Sequence, residues 1–428
     1  MSRRSATWSA VTKGHPATDW LSTHGPLAAK VARMGTPFAA SPTARPTREG
    51  RFPRNDIISL LDNFPTHNLG ESTSQDLTFG DVLDLIGADV LRDLRLGYGP
   101  AAGSAVLRAR VGELTGMQSD QVITTQGVAL GLYLLAVEHC RPGDDVLIVT
   151  PIFPPTRDAM IGSGVTVNTV PLSFDAGYRI DADVIAPALT PATTLVCLAS
   201  PQNPSGVRAR TDDIEALLAH MARVCPHALL LVDEIYRDAT YGDAAIPPSF
   251  ANTDRRVITS GSISKAHGAP GLRCGWLTVH DPDLRDQLIV AKMNIVLSGS
   301  VLDEAMAAAI LDHRDDVLRP RREILARALQ IVEQWQHSER SRVDWVRPES
   351  GAMCCIRLRP DIFDDTSVQR FWAALPELDL QLGVGEWFAE SARIARLGFG
   401  YLPLDRLAPA LEQLTNALDL AESTHGRS

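Results

Sequence analysis

The sequence predicts an α/β protein with a large domain, in which helices cover both faces of a mostly parallel sheet. A smaller α+β domain is formed by the N- and C-terminal parts. Three observations lead to this prediction. Strand-like apolar runs alternate with helical patterns from Val122 to Val279. These strands are apolar along nearly their whole length, as in sheets buried on both faces. After about Leu284, long helices predominate and short strands separate them.

Two helices are predicted ahead of this alternation. The segments Phe79–Leu94 and Ser104–Thr115 both repeat apolar residues at helical spacing. Between them, Gly97-Tyr98-Gly99-Pro100 contains residues that break helices. The chain therefore enters its alternating region through a pair of helices joined by a Gly- and Pro-containing turn.

Helical patterns connect several strand-like runs in the alternating region. Such crossovers place successive strands parallel, and ligands of parallel sheets bind beyond the carboxyl ends of the strands. Polar residues that follow these strands are therefore candidates for a functional site. The runs are 122–124, 145–149, 165–167, 194–199, 228–232, 256–259 and 275–279, with helical patterns at 128–139, 157–161 and 212–224.

The C-terminal third predicts the rest of the smaller domain. It has amphipathic helices at 301–311 and 321–335, short strands at 352–356 and 396–399, and a final helix with leucines on one face. We therefore divide the chain into a flexible basic N-terminal arm at 1–54, the N-terminal part of the small domain at 55–95, a large domain at 96–300, and the C-terminal small domain at 301–428.

Composition argues against several classes of protein. The formal net charge of −10 is unfavourable for a general nucleic-acid binder. No apolar stretch is long enough to span a bilayer, so we expect no membrane partner. The six cysteines form no C-x-x-C pair and no ligand set with nearby histidines. We therefore expect no metal site, and a reducing, cytoplasmic location rather than a secreted state.

The N-terminal arm is rich in Arg, Ser and Pro, and its only acidic residues are Asp19 and Glu49. This composition is typical either of a transit peptide or of an arm that lies on a partner subunit. Because nothing in the arm forms a strongly amphipathic basic helix, we favour the second interpretation.

One stretch, Ser260–Arg273, combines the features of a cofactor site. Lys265 lies among small and hydroxylic residues, eight positions before Arg273. Small neighbours let a planar group approach the amine, while hydroxyl groups and an arginine suit a phosphate. A lysine that carries a carbonyl cofactor as a Schiff base needs this combination. A solvated basic loop is the alternative interpretation.

Three further segments follow predicted strands. Gly127 opens a helix whose first N–H groups can bind phosphate, although a structural turn has the same pattern. Two prolines and a glycine around Asn203 indicate a rigid turn. Asp233 follows five apolar residues. An acid there needs a cationic partner, either a protonated pyridine nitrogen or a structural arginine, unless it caps a helix.

Together these segments resemble fold type I pyridoxal-phosphate-dependent enzymes, specifically the class I/II aminotransferase family, over about residues 57–420. The resemblance implies that Lys265 binds pyridoxal 5'-phosphate as a Schiff base and then moves the proton at the substrate Cα. It implies that Asp233 pairs with the pyridinium nitrogen, and that Asn203 and Tyr236 hydrogen-bond the phenolate oxygen of the cofactor.

The same resemblance implies the remaining contacts of the cofactor. Phe153 matches the aromatic residue that stacks on the ring. Tyr98 matches the tyrosine that reaches the phosphate of the neighbouring subunit, which implies a homodimer with shared active sites. The residues that match phosphate ligands within one subunit are Gly127, the amides of Val128 and Ala129, Ser262, Ser264 and Arg273.

For the substrate, Arg396 matches the arginine that binds the α-carboxylate of an amino acid, and Arg393 is the alternative. Gly70 and Gly351 match positions that line the substrate pocket. Two residues depart from the family pattern, since Ser200 stands where asparagine is common and Ser205 where threonine is common. The polar segment 68–76 matches no substrate class that we can name.

The resemblance implies an aminotransferase that moves an amino group between an L-amino acid and a 2-oxo acid. Elimination, replacement, cyclisation or oxidation of an amino acid uses the same cofactor and is the alternative. A non-catalytic sensor built on this fold is disfavoured, because Lys265 is present and the arm is too short for a DNA-binding domain.

Overall fold

Two β-sheets organise the structure, a computed structural model that describes residues 50–54, 56–62 and 64–422. The chain divides between Gly50 and Arg51, and both sheets belong to the second unit. The predicted N-terminal arm lies outside the described residues except at its last positions. The strands are β1 (His67–Leu69), β2 (Val122–Gln126), β3 (Asp145–Thr150), β4 (Thr166–Pro171), β5 (Thr193–Ala199), β6 (Leu229–Asp233), β7 (Val257–Ser262), β8 (Cys274–Thr278), β9 (Val343–Val346), β10 (Met353–Leu358), β11 (Leu380–Val384) and β12 (Ile394–Gly398).

Helices connect these strands and cover the sheets. In the described residues they are α1 (Ser59–Asp62), α2 (Phe79–Ile86), α3 (Ala88–Arg92), α4 (Ala105–Thr115), α5 (Gly127–Glu138), α6 (Pro154–Ser163), α7 (Ala182–Ile185), α8 (Thr211–Val224), α9 (Pro282–Val296), α10 (Val301–Asp312), α11 (Arg314–Glu339), α12 (Asp365–Glu377) and α13 (Leu404–Glu422).

The seven-stranded sheet has the order β2-β8-β7-β6-β5-β3-β4. Strand β8 is antiparallel to both of its neighbours, and the other pairs are parallel. Alternate residues of β5 show that the sheet is buried on both faces. Leu195 packs with Leu132 of α5, while Val196 packs on the opposite face with Leu217 of α8. The predicted fold, a mostly parallel sheet between helices, is confirmed.

The five-stranded sheet joins the two ends of the described chain. Its order is β1-β11-β12-β10-β9, in which β1 is parallel to β11 and the other pairs are antiparallel. Helices α11, α12 and α13 pack on it through residues such as Leu325, Phe371 and Leu411. The predicted α+β unit formed by N- and C-terminal parts is confirmed, while the exact domain boundaries stay predictions.

Two predicted helices differ from those observed. The predicted helix Phe79–Leu94 is interrupted, because Gly87 ends α2 with a φ of 77° and the chain restarts as α3. The helix predicted to begin at Arg321 begins seven residues earlier, at Arg314, and contains Pro320 within it. A proline is an unfavourable interior helix residue, and the sequence pattern therefore placed the start too late.

The six cysteines are all buried and free of disulfides. They lie in the packed interior, as expected for cysteines inside apolar runs. Within residues 50–422, no helix is both long and apolar enough to cross a membrane.

Candidate active site

The carboxyl ends of neighbouring strands meet at one edge of the seven-stranded sheet. Asp233 ends β6, and Ser260 of β7 lies beside it in the register. Asn203 follows β5, and Lys265 follows β7 by three positions. Strand β2 runs parallel to β7 and ends at Gln126, on this same edge. The topology therefore gathers the segments in which the sequence predicted functional residues.

Lys265 forms a hydrogen-bonded chain with two hydroxyl groups. Its Nζ donates to Ser72 Oγ at 3.2 Å, and Ser72 Oγ is 2.8 Å from the hydroxyl oxygen of Tyr236. The amine also lies 5.9 Å from the centre of the Tyr236 ring. Ser72 and Tyr236 are each 2% exposed. The lysine, which is half-buried, thus presents its amine beside a phenol and a serine hydroxyl.

Asp233 is a buried carboxylate that lacks an ion-pair partner in the described part of the chain. It is 4% exposed and accepts hydrogen bonds from the Ser260 hydroxyl at 2.8 Å and the Ile235 N–H at 3.3 Å. Burial raises the pKa of Asp233 to about 6, although these hydrogen bonds and the charge of Lys265 act in the opposite direction. A cation placed against this carboxylate would be strongly stabilised.

Arg396 links the two sheets at the site. It lies on β12, is 2% exposed, and donates to Asn203 Oδ1 at 3.0 Å and to the carbonyl of Gly70 at 2.6 Å. Its guanidinium lies 4.9 Å from the centre of the Phe388 ring, and its buried Nε has no hydrogen-bond acceptor. Burial lowers the pKa of Arg396. A planar carboxylate is the natural ligand for such a guanidinium.

Helix α5 begins against Arg273. Gly127, its first residue, has a φ of 72°, and a Cβ at this position would lie 2.5 Å from Nη2 of Arg273. A side chain is thus excluded by both the backbone conformation and the space. Gly275 on β8 is similarly close, because its Cβ would lie 2.8 Å from the amide nitrogen of Val128. An exposed guanidinium and a helix N-terminus are therefore brought together, and this is a favourable arrangement for a phosphate.

Two buried hydroxyl groups lie at the end of β7. The Oγ atoms of Ser262 and Ser264 are 2.6 Å apart, and the Ser264 N–H donates to Ser262 Oγ at 3.0 Å. Ser262 Oγ in turn donates to the carbonyl of Cys274, beside Arg273, at 2.7 Å. This contact connects the hydroxyl pair to the start of β8.

The other predicted residues are less closely joined to this network. Phe153 precedes α6, and Gly351 packs against Tyr236, with a φ of 89° that favours glycine. Tyr98 is 89% exposed. Arg393, the alternative to Arg396, instead bonds the Asp365 carboxylate and the Phe363 carbonyl, and so does not face Asn203.

Sequence reasoning did not identify Ser72 and Ser260 as site residues. Ser260 belongs to the stretch that contains Lys265. It lies beside Asp233 because of the pairing register of β6 and β7, and this register cannot be read from either strand by itself. Ser72 belonged to the unassigned polar segment 68–76, and its contact with Lys265 joins residues 193 positions apart. The only available signal was the hydroxyl-rich composition of each segment.

These groups fit pyridoxal phosphate. The buried Asp233 provides a partner for a pyridinium nitrogen, and the exposed Arg273 beside the helix N-terminus at Gly127 provides one for the phosphate. The half-buried amine of Lys265 is available to the aldehyde. The described residues contain no group of three or more His, Cys, Asp or Glu arranged to hold a metal.

Comparisons with known proteins identify the family of the chain. Residues 70–384 match the family model described as aminotransferase class I and II. The chain is 30% identical over 413 residues to the capreomycidine synthase of Streptomyces vinaceus, covering 92% of this chain and 98% of that one. It is 26% identical over 279 residues to the arginine–pyruvate transaminase of Pseudomonas aeruginosa, covering 61% and 68%.

The fold has a similar counterpart among solved structures. A pyridoxal-phosphate-dependent aminotransferase from Streptococcus suis superposes with a TM-score of 0.77 at 25% identity, covering 86% of this chain and 98% of that one. The family model and the full-length relative both extend across the lysine, aspartate and asparagine segments at the sheet edge. The chain belongs to the class I and II aminotransferase family and is a pyridoxal-phosphate-dependent enzyme.

Proposed function

We propose that the enzyme transaminates an L-amino acid, with Lys265 as the residue that carries the cofactor and moves the proton at Cα. The observation that supports this most strongly is that the half-buried amine of Lys265 lies at the same sheet edge as a buried carboxylate without an ion-pair partner in the described residues. Asp233 is close enough to Lys265 for the lysine charge to lower its pKa. Arg396 reaches the same edge through Asn203.

Each of these groups has a distinct task. Pyridoxal phosphate supplies an aldehyde that condenses with amines and a ring that stabilises negative charge on the neighbouring carbon. Asp233 keeps the ring nitrogen protonated, and Arg396 fixes the substrate α-carboxylate. Lys265 Nζ accepts the Cα proton and returns it, which positioning by Arg396 makes efficient.

The remaining assigned residues hold the cofactor. Asn203 and Tyr236 would hydrogen-bond its phenolate oxygen, and Phe153 would stack on its ring. Gly70 and Gly351 shape the space for the substrate. The phosphate is held by Gly127, the amides of Val128 and Ala129, Ser262, Ser264 and Arg273, a set supported by the contact between Gly127 and Arg273.

Peptide mapping tests the assignment of Lys265 directly. The sequence has lysines only at positions 13, 30, 265 and 292. The other described lysine, Lys292, is fully buried and donates to Thr124 Oγ1 at 3.3 Å. After borohydride reduction of the cofactor-bound protein, we expect the phosphopyridoxyl group on the peptide that contains Lys265. Modification of Lys292, or of neither lysine, would contradict the proposal.

A second reaction is favoured by one observation. The match to capreomycidine synthase covers 98% of that protein, whereas the match to the arginine–pyruvate transaminase covers 68%. The relative that is matched over nearly its whole length is thus named a synthase and not a transaminase. The second candidate is therefore the alternative left open by the sequence, such as elimination, replacement or cyclisation of the amino acid. This reaction begins with the same removal of the Cα proton, but it changes a side-chain substituent of the amino acid and does not transfer the amino group.

Dependence on an acceptor separates these reactions. A transaminase forms one equivalent of 2-oxo acid per site and needs an added 2-oxo acid for further turnover. Cyclisation continues without an acceptor and yields a ring product that NMR identifies. A second variant, Arg396→Lys, tests the carboxylate contact that both reactions need. It retains the positive charge but not the planar guanidinium that forms two parallel hydrogen bonds. We expect it to raise KM about tenfold or more for any substrate with an α-carboxylate, whichever reaction occurs.

We also propose a homodimer in which Tyr98 completes the phosphate site of the partner subunit. In the single chain Tyr98 is exposed, and so are the apolar side chains of Leu96 (80%), Val106 (60%) and Phe79 (58%). Apolar exposure of this extent is typical of an interface. Mixed dimers of Lys265→Ala and Tyr98→Ala subunits should recover activity, because one of the two sites is then intact. No recovery from mixed dimers would contradict shared sites.

A further inference from the structure

Ser72 makes the contact with Lys265 that no sequence pattern indicated. Its Oγ accepts a hydrogen bond from Lys265 Nζ at 3.2 Å and lies 2.8 Å from the Tyr236 hydroxyl. A serine hydroxyl donates one hydrogen bond and accepts two, so it can bond both groups at once. Ser72 therefore bridges the amine and the phenol of the site.

The backbone around Ser72 is fixed by several contacts. Asn68 Oδ1 accepts from the amides of Gly70 at 3.0 Å and Glu71 at 3.2 Å. The carbonyl of Glu71 lies so close to Gly398 that a Cβ at Gly398 would be 1.7 Å from it. Because the residues before Ser72 are held on two sides, its hydroxyl has a defined position relative to Lys265.

Burial alone does not produce this contact. Ser74 lies two residues later and is 4% exposed, compared with 2% for Ser72. The hydroxyl of Ser74 has no hydrogen-bond partner within the described chain. The two serines thus share a segment and a degree of burial, but only Ser72 bonds the reactive amine. Ser74 is therefore a matched control.

We propose that Ser72 is a positioning residue that holds the Lys265 amine beside Tyr236. In this position the amine is oriented for condensation with the cofactor aldehyde and, later, for proton transfer at Cα. A hydrogen bond to a charged amine changes such steps by about tenfold. The proposal rests on Lys265 being the residue that carries the cofactor.

The first test uses apo-protein and does not depend on turnover. The rate of covalent capture of pyridoxal phosphate is followed by visible absorbance for the parent, Ser72→Ala and Ser74→Ala. Binding of pyridoxine phosphate, which lacks the aldehyde, is measured in parallel. We expect Ser72→Ala to slow capture about tenfold with pyridoxine phosphate affinity within twofold of the parent. Ser74→Ala should resemble the parent in both measurements.

The second test examines proton transfer in the holoenzyme. With an α-deuterated amino acid, we expect Ser72→Ala to lower kcat, to leave KM nearly unchanged, and to increase the deuterium isotope effect. A Ser72→Ala protein with parental capture rate would overturn the proposal. So would a tenfold loss of pyridoxine phosphate binding, because Ser72 would then shape the pocket. Failure of the parent to capture pyridoxal phosphate at all would instead refute the assignment of Lys265.

Discussion

Asp233 and Asp238 lie five residues apart and are almost equally buried, at 4% and 6% exposure, yet their carboxylates have opposite electrostatic environments. Asp233 has two hydrogen-bond donors but no ion-pair partner in the described residues, and burial raises its pKa to about 6. Asp238 is likewise desolvated, but the charges of Arg237, His267 and Arg314 hold its pKa at about 2.

The difference separates a structural carboxylate from one that awaits a ligand. Asp238 lies 3.0 Å from a guanidinium nitrogen of Arg314 and 3.3 Å from one of Arg237, so protein groups compensate its charge. Asp233 has no such partner in residues 50–422. An uncompensated buried carboxylate is costly, and a cofactor that brings its own cation removes that cost.

The largest effect on stability should follow from removing the charge of Asp238 from its ion pairs. Asp238→Asn leaves the partly buried Arg314 without its anion and the buried Arg237 with Glu234 alone. We expect the free energy of unfolding to fall by about 3–5 kcal/mol in urea titrations. The control is Asp316→Asn, which removes an exposed ion pair with Arg319 and should cost about 1 kcal/mol or less. Equal losses in the two variants would contradict the comparison.

Replacing Asp233 should lower activity without lowering the stability of the fold. Asp233→Asn keeps the shape of the side chain but cannot stabilise a cation. We expect kcat to fall by about a hundred- to thousandfold, which is typical of removing one electrostatic contact from a reaction centre. Circular dichroism should be unchanged. Activity within a few fold of the parent would show that Asp233 does not face the ring nitrogen.

The pH dependence of the apo-protein sharpens the contrast further. The pKa of Asp233 is raised from 3.8 to about 6 on folding, so the folded state binds the proton more tightly. As pH rises from 4 to 6, ionisation of Asp233 therefore lowers the free energy of unfolding by about 3 kcal/mol. At pH 7, apo Asp233→Asn should be more stable than the parent, and this advantage should disappear near pH 4.

Unfolding free energies of the parent and Asp233→Asn, measured at several pH values, check this prediction. His267 titrates in the same range with the opposite sign, because burial lowers its pKa to about 4. The effect of His267 on the free energy of unfolding is the same in the parent and in Asp233→Asn, so it cancels when one free energy is subtracted from the other. A difference that stays constant between pH 4 and pH 7 would rule out the raised pKa of Asp233.

The sequence was sufficient to predict the parallel sheet and the edge where the site forms. Apolar strands interrupted by helices specify that architecture, and Asp233, Asn203 and Lys265 each follow such a strand. These are local patterns, in which the residue and its strand are neighbours in the chain. The resemblance of the same segments to a known family then implied the cofactor.

Contacts between distant segments were not predictable in this way. The three-residue strand β1 has too few residues to show a period, and it pairs with β11 more than three hundred positions away. Ser72 reaches Lys265 only because that pairing places its segment over the site. One of the charges that compensate Asp238 is Arg314 of α11. The sequence prediction began this helix at Arg321 and therefore did not include Arg314.

The contact between the Gly70 carbonyl and Arg396 spans 326 positions, and it sets an order of events during synthesis. Lys265 and Asp233 leave the ribosome well before Arg396, which is encoded 131 positions after Lys265. At ordinary translation rates this interval is about 7–26 s. A nascent chain can therefore complete the strands beneath the cofactor before Arg396, the residue proposed to bind the substrate carboxylate, has been synthesised. Cofactor capture can thus precede amino-acid recognition in the life of each molecule.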